Sequence, residues 1–305
     1  MRSLLAHIIV VAATCLFLGG RFLQAQSIPS GFTIICPPLS ELEEQYDHEE
    51  QQPSGPKIVV TDIVLSGATQ VTASEQREIA AAIKQQTSGY SVDAVTDEVV
   101  ERVRAAWQDR GYFKVQVAGK KARIVSSRAS AQRISVDVDV DEGLRYRLGE
   151  ITFKSNTRIT DPAFLRSMFP IKNGDIFSRE KIAKGLDNLR EAYSELGYLN
   201  FTSVPDTKFE DEKKLIFLLI DMDEGKQFYF STIEILFLND RTRQEVLKNA
   251  PIGQIYSRKL LDQFLEKYSA VFKLRPDDPR LTSRRLDENT GAVSITLYAC
   301  PCPSC

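Results

Sequence analysis

Apolar residues in this chain follow two alternating rhythms, and the order of those rhythms repeats. The clearest stretch starts at "GEITFKSN" (Gly149–Asn156), where Ile151 and Phe153 share one face in the period-two pattern of a half-buried strand. "TDPAFLRSM" then predicts a short helix, capped by Asp161 or Thr160, with Pro162 in the first turn where its missing N–H costs nothing. Ser178 is placed to cap a second helix, along which Ile182, Leu186, Leu189, Tyr193 and Leu196 form a single apolar stripe. Gly197 stops it, at a position where a left-handed conformation suits glycine. "YLNFTSV" reads as a strand, and "KLIFLLIDMDEG" as a strongly apolar one.

The order strand, helix, helix, strand, strand occurs twice more. Earlier in the chain, "TDIVLSGA" (Thr61–Ala68) predicts a first strand, and Thr72 with Glu75 forms a capping-box pattern. A second helix carries Val100, Val103 and Trp107 and ends at Gly111. "YFKVQV" (Tyr112–Val117) alternates, and "RISVDVDVDEG" sets Ile134, Val136, Val138 and Val140 against Ser135, Asp137 and Asp139. Such alternation describes a sheet with one wet face and one face against helices. Later in the chain, "STIEILFLND", "RTRQEVLKNA", a Ser257 cap, the stripe Leu261, Leu265, Tyr268, Phe272 and the strand "AVSITLY" give a more divergent third copy, with Pro276 near the place of the lost Gly-Tyr.

Two phrases tie the copies together. "PIKNGDIFSREKI" from Pro170 and "PIGQIYSRKLL" from Pro251 join the two helices of the middle and third copies. "RGYF" and "LGYL" end the second helix in the first and middle copies, and "DEG" closes both at Gly143 and Gly225. Gly143 precedes Ile151 by the same distance as Gly225 precedes Ile233, so consecutive units connect alike, as in an array of repeats. The expected fold is α+β, with units at 57–143, 144–225 and 226–299.

A βααββ unit with Gly111–Tyr112 or Gly197–Tyr198 after its second helix, and Glu142–Gly143 or Glu224–Gly225 before the next unit, resembles the POTRA (polypeptide-transport-associated) domain. The likeness runs from Lys57 to about Tyr298. It implies three tandem POTRA-like repeats, each a small three-stranded mixed sheet with two helices on one face. It further implies binding without catalysis, in the periplasm of a double-membraned bacterium or at the periplasmic face of its outer membrane. The partners would be an outer-membrane barrel protein or other envelope-assembly factor, and extended client polypeptides added at a sheet edge. In the family's topology the second strand is an edge, which points to Tyr112, Phe113, Val115 and Val117, and to Leu199, Asn200, Phe201 and Thr202, as partner-binding residues. Gly111, Gly143, Gly197 and Gly225 form the structural signature of the repeat. Well-known members continue into a transmembrane barrel; seven residues follow Tyr298 here, so the expectations are a free-standing periplasmic factor, one subunit whose membrane partner is encoded elsewhere, or a truncated gene. A competing expectation is an inner-membrane-anchored scaffold of the cell-division kind.

Composition narrows these classes. The chain is 43% hydrophobic and 26% charged with a formal net charge of −2, so no overall basic field draws it to nucleic acid. Residues 1–25 read as an export signal, with Arg2 before the apolar run Leu4–Leu18 and cleavage after Ala25. Left uncleaved, the same run would be the anchor of the scaffold reading. Residues 26–56 are acidic and Pro-rich, a mobile tether. Cys36, Cys300, Cys302 and Cys305 remain after cleavage, three of them in a Cys/Pro tail at 300–305. An adventitious pairing in an exposed tail and a metal clip are both open to them.

No cofactor or metal is expected, and no enzyme. The two histidines, His7 and His48, lie outside the periodic region, which also lacks a nucleophile elbow, zinc spacing and a phosphate loop. Asp137, Asp139, Asp141 and the "DMDE" run Asp221–Glu224 read as solvated strand faces, because residues two apart on a strand do not converge on one ion. "RLTSRRLDE" reads as a solvated loop, and Trp107, Tyr112 and Tyr198 as packing residues.

Overall fold

The computed structural model describes residues 55–236, 238–272 and 282–299. The export signal, most of the tether, all the cysteines, Pro276 and the Cys/Pro tail fall outside those residues. The described part contains three sheets, each with its own apolar core.

In the first unit β1 (Lys57–Ser66) leads to helix α1 (Ala73–Gln86), whose Thr72–Glu75 capping box is fully formed. After the two-residue strand β2 (Ser88–Gly89), Ser91 caps α2 (Val92–Gln108). Then come β3 (Gln116–Gly119), β4 (Arg123–Ser127) and β5 (Ala131–Asp141). The sheet runs β2-β1-β5-β3, with β4 also on β5, so it has five strands where three are expected. The excess is small in physical terms. β3 pairs antiparallel with residues 138–141 of β5 and β4 with residues 132–135, making one edge strand interrupted near Lys120. β2 only clips the start of β1.

The middle unit is plainer. β6 (Arg147–Lys154), α3 (Pro162–Ser167, capped by Asp161), α4 (Arg179–Glu195, capped by Ser178), β7 (Thr202–Glu210) and β8 (Leu215–Asp223) form a sheet β6-β8-β7. β6 runs parallel and β7 antiparallel to the central β8. Ile182, Leu189 and Tyr193 are buried as the stripe requires, but Leu196 at the helix C-cap is 43% exposed. Gly185, which the stripe does not single out, is buried instead, because the Phe169 ring occupies the space its side chain would fill. Gly185→Ala should therefore lower stability. Helix propensity favours alanine by about 1 kcal/mol, but overlap with a buried ring costs about 1–3 kcal/mol. A urea titration should give a lower midpoint despite the better helix former.

The third unit has β9 (Tyr229–Leu236), α5 (Asp240–Leu247), α6 (Arg258–Lys267, capped by Ser257), α7 (Ser269–Phe272), β10 (Thr282–Asp287) and β11 (Ala292–Tyr298), with sheet order β10-β11-β9. Here the expected solvated loop "RLTSRRLDE" is corrected, since Thr282–Asp287 pairs antiparallel with β11 over its whole length. An edge strand tolerates this composition because one face and one side are open. Leu286 packs on the core, and Arg284 donates to Tyr256 Oη at 3.2 Å.

Candidate functional site

The end of each second helix meets the start of the next unit, and the two described joints match bond for bond. Tyr146 N–H donates to Gly111 O at 2.7 Å, and Phe228 N–H to Gly197 O at 2.8 Å. One residue earlier, Arg145 Nε donates to Arg110 O, and Gln227 Nε2 to Leu196 O, both at 2.9 Å. Asp109 stands two residues before Gly111 and accepts from Glu180 N–H at 2.6 Å, on the first turn of α4. Glu195 stands two residues before Gly197 and accepts from Ser257 Oγ and, at 3.4 Å, from Lys259 N–H on the first turn of α6. Each outgoing helix therefore lends a carboxylate to the N-terminus of the next, where free N–H groups and the helix dipole favour negative charge.

The repeated phrase builds the receiving side. Gly174 and Gly253 turn the chain at φ +87° and +79°, and their N–H groups bond Leu148 O and Phe230 O, each at 2.7 Å. Ile176 and Ile255 then form single bridges to Arg147 and Tyr229. The first joint is reinforced by Lys114, which salt-bridges Asp211 at 2.8 Å and sits 4.4 Å above the Phe209 ring, and by Tyr146 Oη, which donates to Asp211 at 2.8 Å. The hydrogen bonds to Lys114 and Tyr146 lower the Asp211 carboxyl below its ordinary range.

The "DEG" glutamates are not solvated, which corrects the reading of Glu224 as part of a wet strand face. Glu142 is buried and accepts from the N–H groups of Thr69, Gln70 and Val71 and from Trp107 Nε1, at 2.7 to 3.1 Å. Glu224 accepts from the N–H groups of Thr157 and Arg158 at 2.8 Å, from Thr157 Oγ1, and from Tyr193 Oη at 2.9 Å. Each ties the last strand of its unit to the loop after the first strand and to the second helix. Burial alone would raise both carboxyls, but the converging hydrogen bonds outweigh it and hold both low. In the third unit Ala299 stands at this position and Phe272 at that of Trp107 and Tyr193, both buried. Carboxylate and donor are lost together.

Of the residues expected on edge strands, only Val117 and Thr202 lie on β3 and β7, and Val117 points into the core. Tyr112 and Val115 are buried, and Phe113 packs edge-on against Phe177 of the next unit at 5.2 Å. Leu199 packs on the third core, Asn200 is exposed, and Phe201 stacks on Tyr193 at 4.1 Å. The strands start late because a turn follows each helix. Tyr112 N–H bonds Trp107 O and Val115 N–H bonds Tyr112 O, with Tyr198 and Phe201 repeating the pattern. Alternating apolar residues in that turn imitate a strand while packing on two cores. The shared offset of Asp109 and Glu195 from the Gly-Tyr pair was the available sequence signal for the joint.

Among the described residues, β3 with β4, β7 and β10 each pair on one side only. The family described as POTRA, surface antigen variable number repeat, matches residues 146–225, the middle unit. Residues 146–225 thus match a POTRA domain. The chain is 22% identical over 227 residues to the outer membrane protein assembly factor BamA of Buchnera aphidicola, covering 69% of this chain and 36% of that one. A putative outer membrane protein assembly factor of Treponema pallidum is 24% identical over 253 residues, covering 80% of this chain and 29% of that one. The chain thus spans about a third or less of the length of these relatives. POTRA domains 3–5 of Haemophilus influenzae BamA superpose with a TM-score of 0.54 at 16% identity, covering 81% of this chain and 98% of that one, a likeness of fold. Among the described residues no helix is long and apolar enough to cross a membrane, and no group of metal-ligating side chains converges.

Proposed function

We propose that this chain is a periplasmic protein–protein interaction module in outer-membrane protein assembly or secretion. It binds extended segments of clients or partners by adding them as strands at its sheet edges, and it reaches the membrane through a barrel protein or an associated assembly factor. The observation that carries this reading is the set of edge strands paired on one side only, beside three cores that are each buried. Unpaired N–H and C=O groups along an edge bind an incoming backbone with little regard to its side chains, which suits a receptor of many clients. The relatives' description as assembly factors supports the same reading.

The test is capture of the tagged, exported protein from the envelope of a double-membraned bacterium, with bound proteins identified by mass spectrometry. Enrichment of an outer-membrane barrel protein or its lipoprotein partners over an unrelated exported bait is expected. Recovery of inner-membrane division proteins instead would overturn the proposal.

A further inference from the structure

Of these edges, those at β7 and β4 differ most in what they offer an added strand. Pro205 lies in the middle of β7, paired with Ile220 of β8. Having no N–H, it is accommodated where its nitrogen faces away from β8. Because strand residues alternate sides, the outward donors of β7 are then Ser203, Thr207 and Phe209, with a gap at the centre. A strand added along β7 would leave an acceptor unpaired in the middle of its ladder.

The edge of the first unit has the opposite character. Every residue of β4 is exposed, and Ile124 and Val125 expose 59% and 61% of their surface. Around them Lys120, Lys121, Arg123, Arg128 and Arg133 supply five positive charges with no acidic residue between Gly119 and Ile134, in a protein whose net charge is −2. Lys120 and Arg123 are held by Asp139 and Asp137 on the open face of β5, at 2.9 and 2.8 Å. Lys121, Arg128 and Arg133 are exposed and form no ion pair among the described residues. Arg128 and Ala131 bond each other's backbone across the hairpin turn, so alternation directs the Ser127 N–H away from β5.

From this conjunction we propose that the β4 edge docks an extended acidic polypeptide segment, one with alternating apolar residues and glutamates or aspartates. The proposal rests on strand addition at sheet edges and names its place and chemistry. Positive charge on an edge is also a guard against pairing with a second copy, since two such edges repel. A guard alone gives no role to two aliphatic side chains left in water beside it. Basic charge with exposed Ile124 and Val125 rejects a like edge and admits an acidic, apolar one.

Short alternating Thr–Val peptides carrying glutamates, glutamines or lysines at matched positions serve as probes, with binding to the full chain read by fluorescence anisotropy. The glutamate peptide should bind about tenfold more tightly than the glutamine peptide, and the lysine peptide more weakly than either. The glutamate advantage should shrink in high salt, because exposed charges are screened. A Lys121→Glu, Arg128→Glu double variant should reverse the ranking. Ser127→Pro should weaken all peptides at unchanged thermal stability. Equal binding of the three peptides, with sensitivity to Ser127→Pro retained, would overturn the acidic preference and leave strand addition standing. A glutamate preference indifferent to Ser127→Pro would overturn strand docking at β4. Binding lost only with Thr207→Pro would move the site to β7.

Discussion

Glu142→Ala is expected to lower the stability of the first unit by about 3–5 kcal/mol, because it leaves two buried donors unpaired at about 1–3 kcal/mol each, with two part-buried ones beside them. The N–H groups of Thr69, Gln70 and Val71 and the indole of Trp107 all lose the same acceptor. For a domain whose whole stability is about 5–15 kcal/mol, that is enough to melt it well below the wild type. Glu142→Gln should cost less, since one oxygen still accepts, yet its amide hydrogens face donors. The matching change at Glu224 should destabilise the middle unit in the same way. Acid should act similarly on both. A carboxyl held low in the folded state contributes stability that is complete above its unfolded value, about 4.3, and that is lost as pH falls through the folded value. The loss on acidification should be smaller in Glu142→Gln than in the wild type. Thermal melts across pH 3–7, followed by Trp107 fluorescence, read both effects; equal acid sensitivity in the two proteins would rule out the carboxylate's part.

The second large effect is expected from Gly111→Ala. Gly111 sits at φ +93°, and an added Cβ would lie 2.8 Å from Tyr146 O and 2.9 Å from Ile176 Cγ2, both in the next unit. Backbone strain at a positive φ costs about 1–3 kcal/mol. The overlap cannot be relieved without moving Tyr146 off the Gly111 carbonyl. The first and middle units should therefore separate before either unfolds. Limited trypsin digestion should cut after Arg145 at least several-fold faster in the variant, while circular dichroism of the intact chain stays close to that of the wild type. Gly197→Ala should do the same at the second joint, where Ile255 and Phe228 stand in the way. A variant no more sensitive to trypsin than the parent would contradict this account of the joint.

The repeat, its helix caps and most of its strands were legible in the sequence because each is a local matter of periodicity, hydroxyl caps and helix-stopping glycines. The α4 stripe from Ile182 to Tyr193, Gly185 apart, and the bounds of β11 follow directly from such patterns. What local pattern could not settle was which core a side chain joins. Phe113 and Leu199 alternate as strand residues do, yet they pack across the joint on the following unit. Glu142 and Glu224 sit among charged residues and read as wet, yet they are buried by donors some seventy residues away in the chain. The charged edge strand β10 was missed for the converse reason. Its partner β11 supplies the apolar content that its own sequence lacks.

The two joints have one further consequence. The first and middle units both end in a glycine carbonyl with a carboxylate two residues earlier, and the middle and third units both begin with an N–H for the carbonyl and a serine-capped helix turn for the carboxylate. They behave as a connector with two fixed sexes, so a whole unit can be gained or lost without inventing a new contact surface.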